Sequence, residues 1–452
     1  MIDKELNLIE VDPVKTSAVR KYFNKFFKSQ STGGILLLAC ALIALIIANV
    51  PSLSHIKDMW GISMGIEFGD FSLKMPLLDW VNDGLMAVFF FVVGLEIKRE
   101  MMVGELSSIK QATLPVFAAL GGMIFPALIY SIFNMQDPAS SHGWGIPMAT
   151  DIAFAIGVIS LLGNRVPMGI KVMLTALAIV DDLGAIIVLA IFYPTHALDF
   201  NSLLIALSIF AFLMLMNKLG VKKVFVYVIG GVFMWYFVYC SGIHATIAGV
   251  LLAITIPHKT TINEVLFIMS SEYDIKRFKE VSDSNVSVLA NHEQQHILHR
   301  MSENLDKMEP LMHKLETKLQ PLVNFVIMPL FALANAGVLF SMDVFSGGIP
   351  GVSLGIFFGL LFGKPIGIFL FSLISVKLKL SDLPSGVKWK QVFAMGILGG
   401  IGFTMSIFID NLAFKDIDMA NLGKVSILLT SFTAALVGLG VLHLTTKHCK
   451  QD

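Results

Sequence analysis

Long apolar runs separated by short polar segments dominate the chain. A run of about 17–25 mostly apolar residues is long enough to cross a bilayer as a helix. The runs predict an all-α polytopic membrane protein, a single integral membrane domain over residues 1–452. Twelve spans are predicted, near residues 32–50, 79–98, 113–134, 143–162, 168–193, 201–217, 222–239, 242–256, 321–340, 353–376, 391–411 and 423–445.

The positions of Lys and Arg predict how these spans are oriented, because cytoplasmic loops carry the excess of basic residues. With the N-terminus inside, 28 of the 33 basic residues fall in inside segments. Four, Lys424 among them, fall outside, and Lys364 falls within a span. This division favours an even number of spans, with a cytoplasmic N-terminal segment 1–31 and a cytoplasmic tail 446–452.

Two polar segments interrupt the pattern of spans. In the outer loop 51–78, residues 61–74 alternate apolar and polar around Gly69 and Asp70, which predicts a β-hairpin, with an irregular loop as the alternative. A lone hairpin is marginally stable in water, so we expect it to pair with another surface such as a second subunit.

The second polar segment, residues 258–320, is predicted to be a long cytoplasmic loop. His296 and His299 have a spacing that suits metal binding on a helix. A solvated helical loop is the favoured interpretation, because the segment is rich in Glu and Lys.

Composition supports membrane insertion, since 55% of the 452 residues are apolar and only 15% are charged. The surroundings are therefore expected to be membrane lipid. A net charge of zero gives no indication of a nucleic-acid partner. The three cysteines are too scattered for a zinc site or a redox pair, and no cofactor is expected. The first apolar run lacks a cleavage pattern, so it is expected to remain as an uncleaved span.

Four charged residues lie near the centres of predicted spans: Asp151, Asp181, Asp182 and Lys364. A charge at the bilayer centre costs roughly 2.5–3.5 kcal/mol on insertion scales, so such residues are expected to be functional. On a helix, Asp181 and Asp182 project about 100° apart and can serve two partners. A buried ammonium needs a counter-charge, which one of the three aspartates would supply to Lys364. A purely structural ion pair would leave the other two unexplained.

Two spans carry signals of an interruption. Pro147 precedes Thr150 and Asp151 in the fourth span, and four glycines precede Thr404 in the eleventh. Broken helices expose backbone groups and dipole ends that bind ions, although tight packing also explains the glycines. Spans 3–5 and 10–12 would run in opposite directions, which predicts inverted-topology repeats and alternating access.

The adjacent carboxylates indicate a chemistry. A cation and protons compete for the same oxygens, and competition at one alternating site is antiport. If one Na⁺ displaces a proton from each of two carboxylates, the exchange is electrogenic. Oxygen ligands suit Na⁺ or Li⁺, and oxygen chemistry alone does not exclude K⁺ as the transported cation. The absence of thiolate or multi-His clusters from the sequence argues against transition metals.

Seven stretches carry a resemblance to a known family. They are VNDGLMAVFFFVVGLEIKREM at 81–101, IPMATDIAFAIGVISLLGNRVP at 146–167, LTALAIVDDLGAIIVLAIFY at 174–193, GIHATIAGV at 242–250, PLFALANAGV at 329–338, LLFGKPIGI at 360–368 and GILGGIGFTMSIFI at 396–409. Over nearly its whole length, the chain resembles bacterial NhaA-type Na⁺/H⁺ antiporters.

The resemblance implies a cation site at Asp181 and Asp182, with Asp182 the stronger candidate ligand for Na⁺. It implies that Lys364 pairs with Asp181 when the site holds neither protons nor Na⁺. Thr150 and Asp151 match the family's extended segment, where the Asp balances helix-dipole ends and Lys364 has the opposite role. The family also implies extrusion of Na⁺ and Li⁺ for external H⁺, the bacterial inner membrane, and a homodimer joined partly by the outer hairpin.

Five further residues match family positions linked to pH response or to the cytoplasmic funnel: Asp83, Glu96, Glu100, His244 and Glu316. Single charges at helix ends are otherwise solvated anchors, and His244 can titrate near neutral pH. The loop 258–320 is longer than in the best-known members, and Thr317 stands where a histidine often follows the funnel glutamate.

Other function classes are less well matched. A sodium-coupled symporter needs a cavity for an organic substrate, and a cation channel does not need inverted, interrupted repeats. An intramembrane aspartyl protease also uses two membrane aspartates, but the segment IVDDLGA lacks the GxGD pattern. Lys364 would also hold a carboxylate of such a dyad ionised.

Overall fold

The computed structural model describes residues 30–68, 71–282, 289–339 and 349–446. These residues form helices and one two-stranded sheet. The longer helices are α1 Gln30–Asn49, α2 Leu77–Val103, α3 Ile109–Asn134, α4a Pro138–Met148, α4b Ile152–Ser160, α5 Met168–Phe192, α6 Phe200–Lys218, α7 Val224–Cys240, α8 Thr246–Thr255, α9 Glu264–Glu280, α10 His292–Met308, α11 Leu311–Asn335, α12 Gly351–Lys377, α13a Trp389–Gly399, α13b Phe403–Ala413 and α14 Ile417–Thr446.

Among the described residues, eight helices are long and apolar enough to cross a membrane. The number rises to ten if the bent pairs α4a/α4b and α13a/α13b each form one span. The helices α7 and α8 are apolar but shorter. Each predicted span overlaps one of these helices or pairs. The total of twelve spans and the inverted repeats stay predictions.

Two helices begin several residues before the predicted spans. The helix α14 begins at Ile417, whereas the predicted span begins near 423, so Lys424, which was counted with the outer segments, lies two turns inside a helix. The helix α11 begins at Leu311 rather than at 321, so Glu316 lies within it rather than before it. Hydropathy detects the apolar part of a helix, whereas backbone hydrogen bonding continues through its polar turns.

Two paired strands lie where the hairpin was predicted. Strand β1, Ser63–Phe68, pairs antiparallel with strand β2, Phe71–Pro76. The predicted turn at Gly69 and Asp70 lies outside the described residues. The Trp80 indole nitrogen donates a hydrogen bond of 2.8 Å to the Met64 carbonyl oxygen, which ties β1 to the start of α2.

The polar segment after α8 contains the two helices α9 and α10, which pack against each other. Asp274 of α9 is buried and forms an ion pair with Arg300 of α10. The Lys314 side chain donates a hydrogen bond to Asp306 and holds the pKa of that carboxyl below its usual range. The segment is helical, as predicted, but residues 311–320 belong to α11.

The chain divides into two compact units. The first comprises residues 1–54, 117–178 and 335–452, and the second comprises residues 55–116 and 179–334. In the first unit, α1 packs on α4b and α13a packs on α14. In the second unit, α2 packs on α8, and Leu95, Leu213 and Tyr227 belong to its buried core. The single domain over residues 1–452 stays a prediction.

Within the first unit, α3 and α12 approach closely at Gly121 and Gly367. A Cβ atom at Gly121 would lie only 2.1 Å from the Gly367 carbonyl oxygen. Small residues permit such close packing of membrane helices.

We expect the substitution Gly121→Ala to lower the free energy of unfolding by about 1–3 kcal/mol, because the added methyl forces the two backbones apart. Thermal unfolding of the purified protein in detergent measures this effect. Gly34→Ala is the matched control, since its Cβ would lie 3.6 Å from the nearest atom and alanine favours a helix. Equal losses in the two variants would contradict the steric explanation.

Candidate functional site

Two helices of the first unit are broken in the middle. The pair α4a/α4b bends by 46° and the pair α13a/α13b bends by 47°. Pro147 lies at the end of α4a, and Gly400 and Gly402 flank the second break. Proline lacks a backbone N–H, and glycine is a poor helix former. The breaks therefore fall where the sequence predicted them.

The two breaks contact each other through backbone groups. The Asp151 N–H donates to the Ile401 carbonyl oxygen at 2.7 Å, and the Thr150 hydroxyl donates to the Gly399 carbonyl oxygen at 2.9 Å. Residues of the first break therefore donate to two backbone carbonyl groups at the second break, and such groups need partners where no water is available.

Asp151 caps the N-termini of two half-helices. Its Oδ1 atom accepts a hydrogen bond of 2.9 Å from the Phe154 N–H at the start of α4b. Its Oδ2 atom accepts from both the N–H and the hydroxyl of Thr404 at the start of α13b. The side chain is buried. A carboxylate at helix N-termini is stabilised by the positive ends of their dipoles.

Lys364 has the opposite electrostatic role to Asp151. It lies at the centre of α12 with a fully buried side chain, and its Nζ atom donates a hydrogen bond to the Met148 carbonyl oxygen. Met148 is the last residue of α4a, so the ammonium lies at the negative end of that helix dipole. The structure therefore brings Thr150, Asp151 and Lys364 together around the two breaks.

Asp181 and Asp182 lie at the middle of α5, as its fourteenth and fifteenth residues of 25. Both side chains are buried, with exposed fractions of 0% and 1%. The helix begins in the first unit and continues into the second, to which both aspartates belong. Cation binding at these carboxylates and the pairing of Asp181 with Lys364 stay predictions.

In the second unit, three of the predicted funnel residues gather around one arginine. The Arg99 guanidinium donates hydrogen bonds to Glu316 and, at 3.1 Å, to Glu100. Glu96 lies close enough for the charges of Arg99 and Glu316 to act on it. Three carboxylates around one guanidinium form a negative cluster, which attracts cations.

Lys98 has a structural position that the sequence did not reveal. Its Nζ atom donates hydrogen bonds to the carbonyl oxygens of Ala253, Ile254 and Ile256, at 3.4, 2.7 and 2.5 Å. These carbonyls lie at the C-terminal end of α8, where a cation is favourable. In the sequence this lysine was only a charge at a helix end, because the contact depends on how α2 packs against α8.

Asp83 and His244 lie apart from this cluster. Asp83 is in the first turns of α2, about 20 Å along that helix from Glu96, and its carbonyl oxygen accepts a hydrogen bond from Trp235. His244 is buried just before the start of α8, at the end opposite to the one that Lys98 caps. Three of the five residues therefore form one cluster, and Asp83 and His244 lie outside it.

One buried carboxylate was missed by the sequence analysis. Asp410 in α13b is fully buried, and neither of its carboxylate oxygens accepts a hydrogen bond from a described residue. It directly follows the apolar stretch 396–409, and a charge in such a run was the signal that could have identified it.

The family decides between the function classes. The profile of a family described as Na⁺/H⁺ antiporter 1 matches residues 24–442. The chain belongs to this family. As a member of the Na⁺/H⁺ antiporter 1 family it is a multi-pass membrane transporter, and Na⁺ and H⁺ are the ions that it exchanges.

Similarity to named Na⁺/H⁺ antiporters supports the assignment to the Na⁺/H⁺ antiporter 1 family. The chain is 49% identical over 418 residues to the Na(+)/H(+) antiporter NhaA 2 of Flavobacterium johnsoniae, covering 92% of this chain and 91% of the relative. It is 46% identical over 416 residues to the NhaA of Oleidesulfovibrio alaskensis, with 92% of each chain covered. It is 45% identical over 427 residues to the NhaA of Helicobacter pylori, covering 93% and 95%.

Proposed function

We propose that this antiporter is electrogenic and extrudes Na⁺, and also Li⁺, in exchange for external H⁺, which supports pH and sodium homeostasis. The exchange takes place by alternating access at Asp181 and Asp182. The observation that carries this proposal is the presence of two adjacent, buried carboxylates at the middle of α5. Such residues are retained at membrane depth when they bind ions or protons.

The exchange follows from competition for the carboxylate oxygens. With both carboxyls protonated, the pair is neutral. Na⁺ entering from the cytoplasm binds Asp182, and the site releases one proton from each carboxyl to the cytoplasm. After Na⁺ leaves on the other side, two protons return from outside. Each cycle therefore moves one net positive charge inward, so an inside-negative membrane potential drives Na⁺ out.

Lys364 balances the charge of the empty site. In the proposed cycle, its ammonium pairs with Asp181 when that carboxyl has lost its proton and no Na⁺ is bound. Thr150 and Asp151 hold the crossing of the broken helices. Because Asp151 and Lys364 already neutralise three of the half-helix ends, rearrangement of the crossing does not leave dipole ends exposed to a cation.

The remaining proposed features concern the surroundings of the site. The cluster of Glu96, Glu100 and Glu316 collects cations on the cytoplasmic side, and Asp83 and His244 contribute to the pH response.

The excess of basic residues in the predicted inside segments supports an inner-membrane protein with both termini in the cytoplasm. A homodimer joined partly by the outer hairpin is supported by the exposed apolar side chains of β1, Met64 and Ile66.

Purified protein in liposomes with an imposed proton gradient tests this function. Added Na⁺ or Li⁺ is expected to dissipate the gradient without any organic solute, and clamping the membrane potential at different values should change the rate. K⁺ is the comparison cation. A requirement for an organic solute would indicate a symporter. Ion flux that does not move protons would indicate a channel.

We expect the substitution Lys364→Ala to lower the free energy of unfolding by about 3 kcal/mol, because it removes a buried charge that is hydrogen-bonded to the end of α4a. It should also shift the pH dependence of transport, since Asp181 loses its proposed partner. Thermal unfolding in detergent measures the first effect. Lys377→Ala is the matched control, an exposed lysine at the end of the same helix. Equal stability of the two variants would argue against this role of Lys364.

A further inference from the structure

Asp410 is a buried carboxylate that the exchange cycle described above does not use. It lies one turn before the end of α13b, and its side chain has an exposed fraction of 0%. Across residues 30–68, 71–282, 289–339 and 349–446, no group donates a hydrogen bond to either of its oxygens. A fully buried carboxyl that accepts no hydrogen bond is costly, and its presence indicates a function.

The contrast with Asp151 shows what is unusual about this position. Both aspartates belong to the first unit, and both are buried. Asp151 accepts three hydrogen bonds, from Phe154 and Thr404, which stabilise its ionised form in place. Asp410 accepts none, so its ionised form is much less well stabilised by local donors.

The helix α14 packs directly on the Asp410 carboxylate. A Cβ atom at Gly423 would lie 1.8 Å from the Asp410 Oδ1 atom, so only glycine leaves room for the carboxylate there. The next residue, Lys424, is the charged group that acts on Asp410 electrostatically. Lys424 is the eighth residue of α14, about 10 Å along the helix from its first residue. An acid and a base thus lie on two neighbouring helices, close enough for their charges to interact.

Few other titratable groups belong to the elements packed against α13b. The segment 142–148 carries only His142, which is exposed. The helix α14 carries Asp418, Lys424 and His443. Asp418 is exposed, and His443 lies about 28 Å along the helix from Lys424. Among these groups, Lys424 is the one whose charge acts on Asp410.

We propose that Asp410 is a second proton-binding residue of the antiporter, separate from the pair on α5, and that Lys424 balances its charge when it is ionised. The carboxylate takes a proton from a hydronium ion of the outer water and releases water. On the reverse step it returns the proton to water and is left ionised beside the Lys424 ammonium. This proposal rests on the proposed exchange of Na⁺ for H⁺, and it adds an outer group whose protonation sets the rate.

A static ion pair is the competing explanation, and the geometry argues against it. A buried pair is stable only when the two groups are directly hydrogen-bonded and their remaining atoms are satisfied. Neither oxygen of Asp410 accepts a hydrogen bond from a described residue, Lys424 included. The neutral carboxyl is therefore a real alternative to the ion pair, and a group with two accessible protonation states can exchange protons.

Three variants test the proposal: Asp410→Asn, Lys424→Met and the double variant. Transport in liposomes is measured while the outer pH is varied. Asp410→Asn mimics the protonated carboxyl. It should therefore remove the part of the transport pH profile in which the rate changes because Asp410 gains or loses its proton. Lys424→Met should move that part of the profile to higher pH by about one unit, because ionisation loses its counter-charge. The double variant should behave like Asp410→Asn.

Two controls complete this test. Asp418→Asn changes an exposed carboxylate on α14 and should leave the profile unchanged. Thermal unfolding against pH detects proton binding without transport. As pH rises, the wild type should lose stability relative to Asp410→Asn, because ionisation buries a charge without donors. If Asp410→Asn does not fold, the shift of the transport pH profile in Lys424→Met alone decides whether the proposal holds.

The proposal is overturned if Asp410→Asn and wild type have superimposable pH profiles of transport and of unfolding. It is also overturned if both single variants lose the same stability at every pH and the double variant regains it, since that result describes a static ion pair. A wild type that does not exchange Na⁺ for H⁺ would overturn the proposed function instead. The unfolding profiles would still decide whether Asp410 binds a proton.

Discussion

The substitution Asp182→Asn is expected to reduce Na⁺-dependent proton exchange by about 100-fold or more. Asparagine keeps the size of the side chain but removes the charge that binds the cation, and loss of one charge from a buried pair costs about 3 kcal/mol or more. The measurement is the Na⁺-induced dissipation of a proton gradient in liposomes that contain equal amounts of each variant. Asp181→Asn should also impair exchange, because one of the two protons can no longer be carried.

The matched control for this experiment is Asp416→Asn, an exposed aspartate between α13b and α14. It should exchange at the wild-type rate, and its unfolding temperature should match that of Asp182→Asn. Wild-type exchange by Asp182→Asn would remove this residue from the ion site. A large loss of stability in Asp182→Asn would indicate that the residue acts on folding rather than on transport.

The substitution Asp151→Ala is expected to lower the free energy of unfolding by about 3 kcal/mol. It removes an acceptor that caps two half-helices, and each cap is worth about 1–2 kcal/mol. Asp151→Asn should lose less, since the amide keeps one acceptor oxygen. The free energy of unfolding is measured by denaturant titration in detergent.

A double-mutant cycle with Thr404→Val separates the two caps. The Thr404 hydroxyl donates to Asp151, so the two substitutions should be non-additive. Asp199→Ala is the control for an ordinary cap, because Asp199 accepts from two backbone N–H groups at the exposed start of α6. If Asp151→Ala lowers the free energy of unfolding by no more than Asp199→Ala does, the double cap does not stabilise the crossing of the broken helices.

The sequence predicted the helices well where they are apolar and less well at their polar ends. Membrane helices are long and uniformly apolar, so hydropathy places their centres. The helices α11 and α14 begin several residues before the predicted spans, because their first turns are more polar. The difference matters because Glu316 lies in the first turns of α11, where it contacts Arg99 of α2.

The candidate site was predictable in its residues but not in its contacts. Asp151 and Lys364 were identified because a charge in an apolar run is costly. That Asp151 caps α13b as well as α4b depends on how two broken helices cross, which no local pattern encodes. Asp410 was missed for a different reason, because it follows an apolar stretch closely enough to be taken as the end of the span.

The central claim is that Na⁺ and protons compete for Asp181 and Asp182. Proton release on Na⁺ binding tests it most directly, with purified protein in weakly buffered detergent solution and a pH-indicating dye. We predict release of up to about two protons for each Na⁺ bound by the wild type, and little release from the Asp181→Asn, Asp182→Asn double variant. Na⁺ binding to the wild type without proton release would contradict the account.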